Sequence, residues 1–223
     1  LFIVVIWGFA DLVKGWSSRR WVVSVTAAVM LLALMAGSWL QVGYWKDSIK
    51  LFKHALDVTN NNYVAHYTLG NALASQGDLV GSVSHFNKAL QINPNFAEAH
   101  NNLGNALALQ GNLTGAIAHY SKALQINPEH VEAHRNLAVG LDRQGKHQKA
   151  LYHYKEALRI NPHDAQSHNN LGVALAEQGR LKEAVAHFTE ALRIEPNFQE
   201  ARRNLELSQE LTEKSSTGSE GVQ

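Results

Sequence analysis

Residues 94–127, PNFAEAHNNLGNALALQGNLTGAIAHYSKALQIN, decide how the rest of the chain is read. The segment carries two apolar stripes of helical period. Leu103, Ala106 and Leu107 recur at i, i+3, i+4 spacing, and Leu113, Ala116, Ile117, Tyr120, Ala123 and Leu124 form a second, longer stripe. Gly111 lies between them and supplies the left-handed conformation in which helices commonly end. Asn95, with Glu98 three residues on, has the spacing of a capping box and predicts where the first helix starts. Pro128 closes the segment, because proline disfavours helix in the residue before it. The stretch therefore reads as helix, turn, helix.

Working outward, the same pattern recurs every 34 residues, over 60–93, 94–127, 128–161 and 162–195, and the first two units are identical at 20 of 34 positions. A period of this length means a solenoid, in which each unit buries its apolar face against its neighbours. All 4 prolines of the chain (Pro94, Pro128, Pro162 and Pro196) mark unit boundaries. Leu-Gly stands at Leu69-Gly70, Leu103-Gly104 and Leu171-Gly172, relaxed to Leu137-Ala138 in the third unit. The second helices carry Ser82/Phe86/Ala89, Ala116/Tyr120/Ala123, Ala150/Tyr154/Ala157 and Ala184/Phe188/Ala191. On these residues the units resemble tetratricopeptide repeats. The family's early aromatic is replaced by His66, His100, His134 and His168, and its tyrosine by Leu73, Leu107, Leu141 and Leu175. Both replacements keep bulk between the helices. The resemblance implies an all-α, right-handed superhelix. Residues 44–59 match the second half of an incomplete leading repeat. Residues 196–213 match a first helix in which Glu206 replaces the glycine, as a polar cap requires. Residues 214–223 read as a disordered tail.

The N-terminal part differs. From Trp21 to Tyr44 no residue is charged, a length of ~36 Å as a helix, and the hydrocarbon core needs about 20 apolar residues. Trp21, Trp39, Tyr44 and Trp45 sit near its ends, at the level aromatic rings prefer. Residues 21–43 are therefore expected to be a transmembrane helix surrounded by lipid. Residues 1–20 are expected to be the end of an upstream span and a short loop. The chain starts at Leu1 inside an apolar run, so it is expected to be the C-terminal piece of a longer protein. Lys14, Arg19 and Arg20 flank one side of the span and Lys46, Lys50 and Lys53 the other. The second trio belongs to a helical pattern, so the first weighs more. The repeats are thus expected outside, in a periplasmic or otherwise extracytoplasmic or lumenal location.

The net charge of +1 hides this division: residues 1–59 carry six basic and three acidic side chains, and residues 60–213 carry thirteen and fifteen. With 45% apolar and 17% charged residues the chain is not a disordered protein, and with no cysteine it has no disulfide framework or thiolate metal site.

Function is expected on the face lined by the first helices, which in this family is concave and holds extended peptides or partner helices. Just before Leu-Gly stand Asn102, Asn136, Asn170 and Asn204, with Thr68 in the first unit. Three residues on are Asn71 and Asn105, then Val139 and Val173. One residue earlier are Tyr67, Asn101, Arg135, Asn169 and Arg203. An amide offers two donors and an acceptor oxygen, so a ladder of amides can bind a peptide main chain without reading its sequence. The ladder resembles the superhelical repeats of O-GlcNAc transferase; Asn as mere repeat consensus is the alternative. The lysine set of a carboxylate clamp is missing.

Twelve histidines occur, eight of them in register: the four above and His85, His119, His153 and His187. They are expected to pack; His130 and His134 have metal-ligand spacing but no third ligand. No catalytic constellation, phosphate loop, cofactor motif or basic stripe for nucleic acid is present. The order of span and repeats, joined by GSWLQVGYWKDSIKLFKHAL at 37–56, resembles the transmembrane-and-TPR (TMTC-like) membrane glycosyltransferases. That resemblance implies O-mannosyl-type transfer, with the active site in upstream loops and the repeats recruiting acceptor protein. A non-enzymatic, membrane-tethered adaptor of chaperone type is the other reading.

Overall fold

The computed structural model describes residues 25, 27–35 and 48–220, and all regular structure among them is helical. The chain divides into two compact units, Leu1–Val58 and Thr59–Gln223.

In the first unit residues 27–35 are helical, with Val29, Met30, Leu31, Leu32, Leu34 and Met35 exposed. A separate helix, α1, runs over Ser48–Val58. Among the described residues no helix is long and apolar enough to cross a membrane. The expected loop at 1–20 and most of the expected span at 21–43 lie outside the described residues.

The second unit is a run of helices: α2 Tyr63–Ser75, α3 Leu79–Ile92, α4 Ala97–Leu109, α5 Leu113–Ile126, α6 Val131–Arg143, α7 His147–Ile160, α8 Ala165–Glu177, α9 Leu181–Ile194 and α10 Gln199–Glu220. Each first helix packs on its own second helix, and each second helix packs on the first helix of the next repeat. Successive first helices (α2, α4, α6, α8, α10) also meet one another, with no matching series among the second helices. A stack that is closer on one side bends toward it, so the first helices line the inner face.

The turns explain the repeat. Gly77, Gly111, Gly145 and Gly179 end the first helices at φ between 74° and 83°, the left-handed region where a side chain is disfavoured. Asp78 and Asn112 then cap α3 and α5, accepting from Gly81 N at 2.9 Å and Gly115 N at 3.0 Å. Between repeats the side chains of Asn93, Asn127 and Asn161 accept from the backbone two residues on, at 3.2, 3.0 and 3.1 Å, a local turn that asparagine favours. This turn corrects the expected capping box. The amide N of Asn95 is tied back to Asn93, α4 starts after Phe96 with no side-chain cap, and Glu98 falls at its second position.

Inside each repeat alanine and glycine let the two helices approach. A Cβ at Gly104 would lie 2.5 Å from Cε1 of Tyr120, and one at Gly172 would lie 2.6 Å from Cε1 of Phe188. The aromatic thus fills the space a side chain would need. Phe86, Leu103, Leu171 and Phe188 are almost wholly buried, each contributing about 1.5–3 kcal/mol by leaving water. At the far end α10 continues to Glu220, so residues 214–220 are helical rather than part of a disordered tail. Glu210 and Lys214, paired at 2.6 Å in i, i+4 geometry, bridge the turn where the helix was expected to stop.

Candidate functional site

The asparagines singled out above project from the first helices, and the structure brings most of them together. Nδ2 of Asn102 donates to Tyr67 Oη at 3.1 Å and to Asn71 Oδ1 at 2.9 Å in the preceding repeat. Nδ2 of Asn136 repeats this one unit later, donating to Asn101 Oδ1 and Asn105 Oδ1, both at 3.0 Å. Asn101 Nδ2 donates to Asn102 Oδ1 at 3.2 Å, and Tyr120 Oη to Asn105 Oδ1 at 2.8 Å. Burial pushes the Tyr120 phenol up to about 12, so it remains a donor. Asn71, Asn101, Asn102, Asn105 and Asn136 therefore form one continuous network across three repeats.

This geometry revises the ladder expected from sequence. An amide nitrogen has two protons, and both protons of Asn102 and of Asn136 are used inside the chain. These residues clip neighbouring repeats together and keep only acceptor capacity for a ligand.

The network stops at the next junction, and substitution is the cause. Asn170 occupies the donor position, but the acceptor places before it hold Arg135 and Val139. Arg135 turns instead to Asp164 at 2.7 Å, which also takes a short hydrogen bond from Ser167 Oγ. Asn170 accepts from Gln166 Nε2 at 3.1 Å and from Asn169 Nδ2 at 3.5 Å, while its own Nδ2 finds no acceptor among the described residues. A second, smaller cluster follows: Asn204 Nδ2 donates to Asn169 Oδ1 at 3.0 Å, and Asn169 Nδ2 to Glu200 Oε1 at 3.2 Å. Arg203 is exposed on α10 and joins neither cluster.

The in-register histidines, expected to pack, make a second construction whose pairing the sequence reading did not give. In each repeat the two rings meet Nδ1 to Nδ1 at 3.0 Å: His66 with His85, His100 with His119, His134 with His153 and His168 with His187. In the last three pairs Nε2 of the first ring lies 3.0–3.2 Å from the carbonyl of Pro94, Pro128 or Pro162. A carbonyl needs a donor, so that nitrogen carries the proton when the ring is neutral, its Nδ1 accepts, and the second ring donates. A chain of hydrogen bonds thus runs from second helix to first helix to the turn between repeats. Burial holds His100, His119, His134 and His187 below the ordinary histidine value and pushes His153 down to about 4. The signal was available, as every pair is separated by 19 residues. In α10 Arg202 takes the histidine's place and donates to Pro196 O at 2.7 Å. His130 and His134 do not face a common ligand: Nδ1 of His130 lies 3.1 Å from Glu132, and His134 is committed to His153.

Models of the tetratricopeptide repeat match residues 70–111, 95–163 and 135–197. It is a tetratricopeptide repeat protein. Among solved structures, one of MamA superposes with a TM-score of 0.62 at 26% identity, covering 70% of this chain and 91% of that one. YrrB, described as a TPR protein with an unusual peptide-binding site, superposes at 0.60 with 23% identity, over 73% and 84%. A thermophilic TPR protein of Thermus thermophilus does so at 0.62 with 20% identity, over 78% and 95%. The last two share the fold alone. No curated protein matches the chain.

Proposed function

We propose that the TPR stack is a protein-interaction scaffold that holds an extended peptide along its inner face. The observation that carries this is the row of amides on successive first helices, broken at one junction where amide protons are left over. A peptide main chain presents alternating donors and acceptors, and a row of amide oxygens and protons at repeat spacing complements it.

We propose further that residues 21–43 anchor the stack in a membrane, with the repeats on the extracytoplasmic or lumenal side. Support comes from the charge-free run, its aromatic ends and the exposed apolar side chains at 29–35. On the resemblance of the 37–56 junction, the stack recruits acceptor protein for a polytopic glycosyltransferase.

A photo-crosslinking amino acid placed at Val173 on the inner face, and in a parallel protein at Lys122 on α5, tests the reading. Peptide crosslinks from position 173 and none from 122 are expected. Equal crosslinking at both positions would reject the groove. Mass spectrometry of the captured partner for hexose on serine or threonine separates the transferase setting from a plain adaptor.

A further inference from the structure

Placing the charges on the fold shows a division that the chain totals conceal. The first helices, taken to Lys214, carry eight acidic and five basic side chains, while the second helices carry seven basic and three acidic. On the ladder face itself, at the i, i+3, i+7, i+10 and i+11 positions that share one side of a helix, stand Glu98, Glu132, Asp142, Glu177, Glu200 and Glu210. Three arginines share that face: Arg135, Arg143 and Arg203. The first is neutralised by Asp164. The inner face therefore carries more acidic than basic side chains, and an excess of one sign of charge on a concave surface concentrates the opposite sign.

The same face changes character along its length. The asparagine positions of the first two repeats, Asn71 and Asn105, become Val139, Val173 and Leu207 in the next three. Val139 and Val173 pack on the core and are partly buried, and Leu207 is 55% exposed. Beside this apolar row sits Asn170, whose two amide protons lack an acceptor among the described residues.

We infer that the occupant of the groove is an extended, cationic segment that seats an apolar side chain on the Val139–Val173–Leu207 row and gives a backbone carbonyl to Asn170 Nδ2. Lysine or arginine side chains flanking the apolar one meet the acidic rims. This rests on the peptide-binding reading above and adds where the peptide is held and what charge it bears.

The test uses the whole 223-residue chain in neutral detergent and fluorescently labelled synthetic peptides. These share a Gly-Ser-Val frame and carry Lys, Gln or Glu on either side of the valine. By anisotropy the Lys peptide is expected to bind about tenfold tighter than the Gln peptide, and to weaken as salt rises from about 50 to 300 mM. Asn170→Ala should loosen the Lys peptide about fivefold, the worth of one hydrogen bond. Val139→Asn places an acceptor where Asn105 stands in the repeat before. It should weaken peptide binding while the circular dichroism melt holds, which separates lost binding from lost folding. Equal binding of the three peptides, preference for the Glu peptide, or unchanged affinity in both variants overturns this inference and leaves the groove reading standing. No binding of any peptide overturns both.

Discussion

Ser82 stands where the other repeats have Ala116, Ala150 and Ala184, and its hydroxyl is wholly buried with no hydrogen-bond partner among the described residues. A buried hydroxyl left unpaired costs about 1–3 kcal/mol, so Ser82→Ala is expected to stabilise the protein, seen as a higher urea midpoint at unchanged slope. The asparagines offer a sharper contrast. Asn136 donates two hydrogen bonds across a junction and Asn170 donates none that the described residues receive. Asn136→Ala should therefore cost roughly 1–3 kcal/mol, whereas Asn170→Ala should move the midpoint little. Equal losses at the two positions would refute the assignment of donors. The sequence located these residues but not their partners. Residues 31 and 35 apart share a hydrogen bond only because one helix pair is stacked on the next.

At the scale of the element, the paired histidines make each repeat sensitive to acid. The Nδ1–Nδ1 bond needs at least one neutral ring, and two charged rings at that separation repel. A histidine whose folded value is depressed favours folding above its unfolded value near 6.5. That contribution is lost as pH falls through the window down to the folded value, which for His153 is about 4. Lys88 and Lys122 add to the depression at His66 and His100, while Glu156 opposes it at His134 and His153. The thermal midpoint is thus expected to be flat above pH 7 and to fall between pH 6.5 and about 4, with a shallower fall in His153→Asn, whose amide can donate to His134 without titrating. A fall equally steep in that variant would exclude the pair as its cause. Helix positions were legible from period 3.6 and from the glycines and prolines, because these are local. The first-helix starts were not: the Asn93-type turn competes for the chain with the expected cap, and only the folded linker shows which wins. The helical run past Glu213 was hidden too, since Ser, Thr and Gly dominate there.

Across the whole molecule, stability is shared between neighbours. Deleting α10 uncovers the faces of α8 and α9 that it packs against, including Leu205 against the core. A chain ending at Glu195 is expected to unfold at lower urea, with the loss concentrated in the last repeats and amide exchange in α2 to α5 nearly unchanged. Uniform loss of protection would show one cooperative block instead. Because the amide bonds that cross from one repeat to the next link residues 31 or 35 places apart, what the inner face offers a ligand is decided by which repeat follows which. Two proteins built from these same repeats in a different order would keep every local sequence and every helix, yet present different free protons. The third repeat followed by itself would leave Asn136 facing an arginine and a valine. The second repeat placed ahead of the fourth would silence Asn170. Shuffling whole repeats, without altering one residue inside them, would be enough to change the partner.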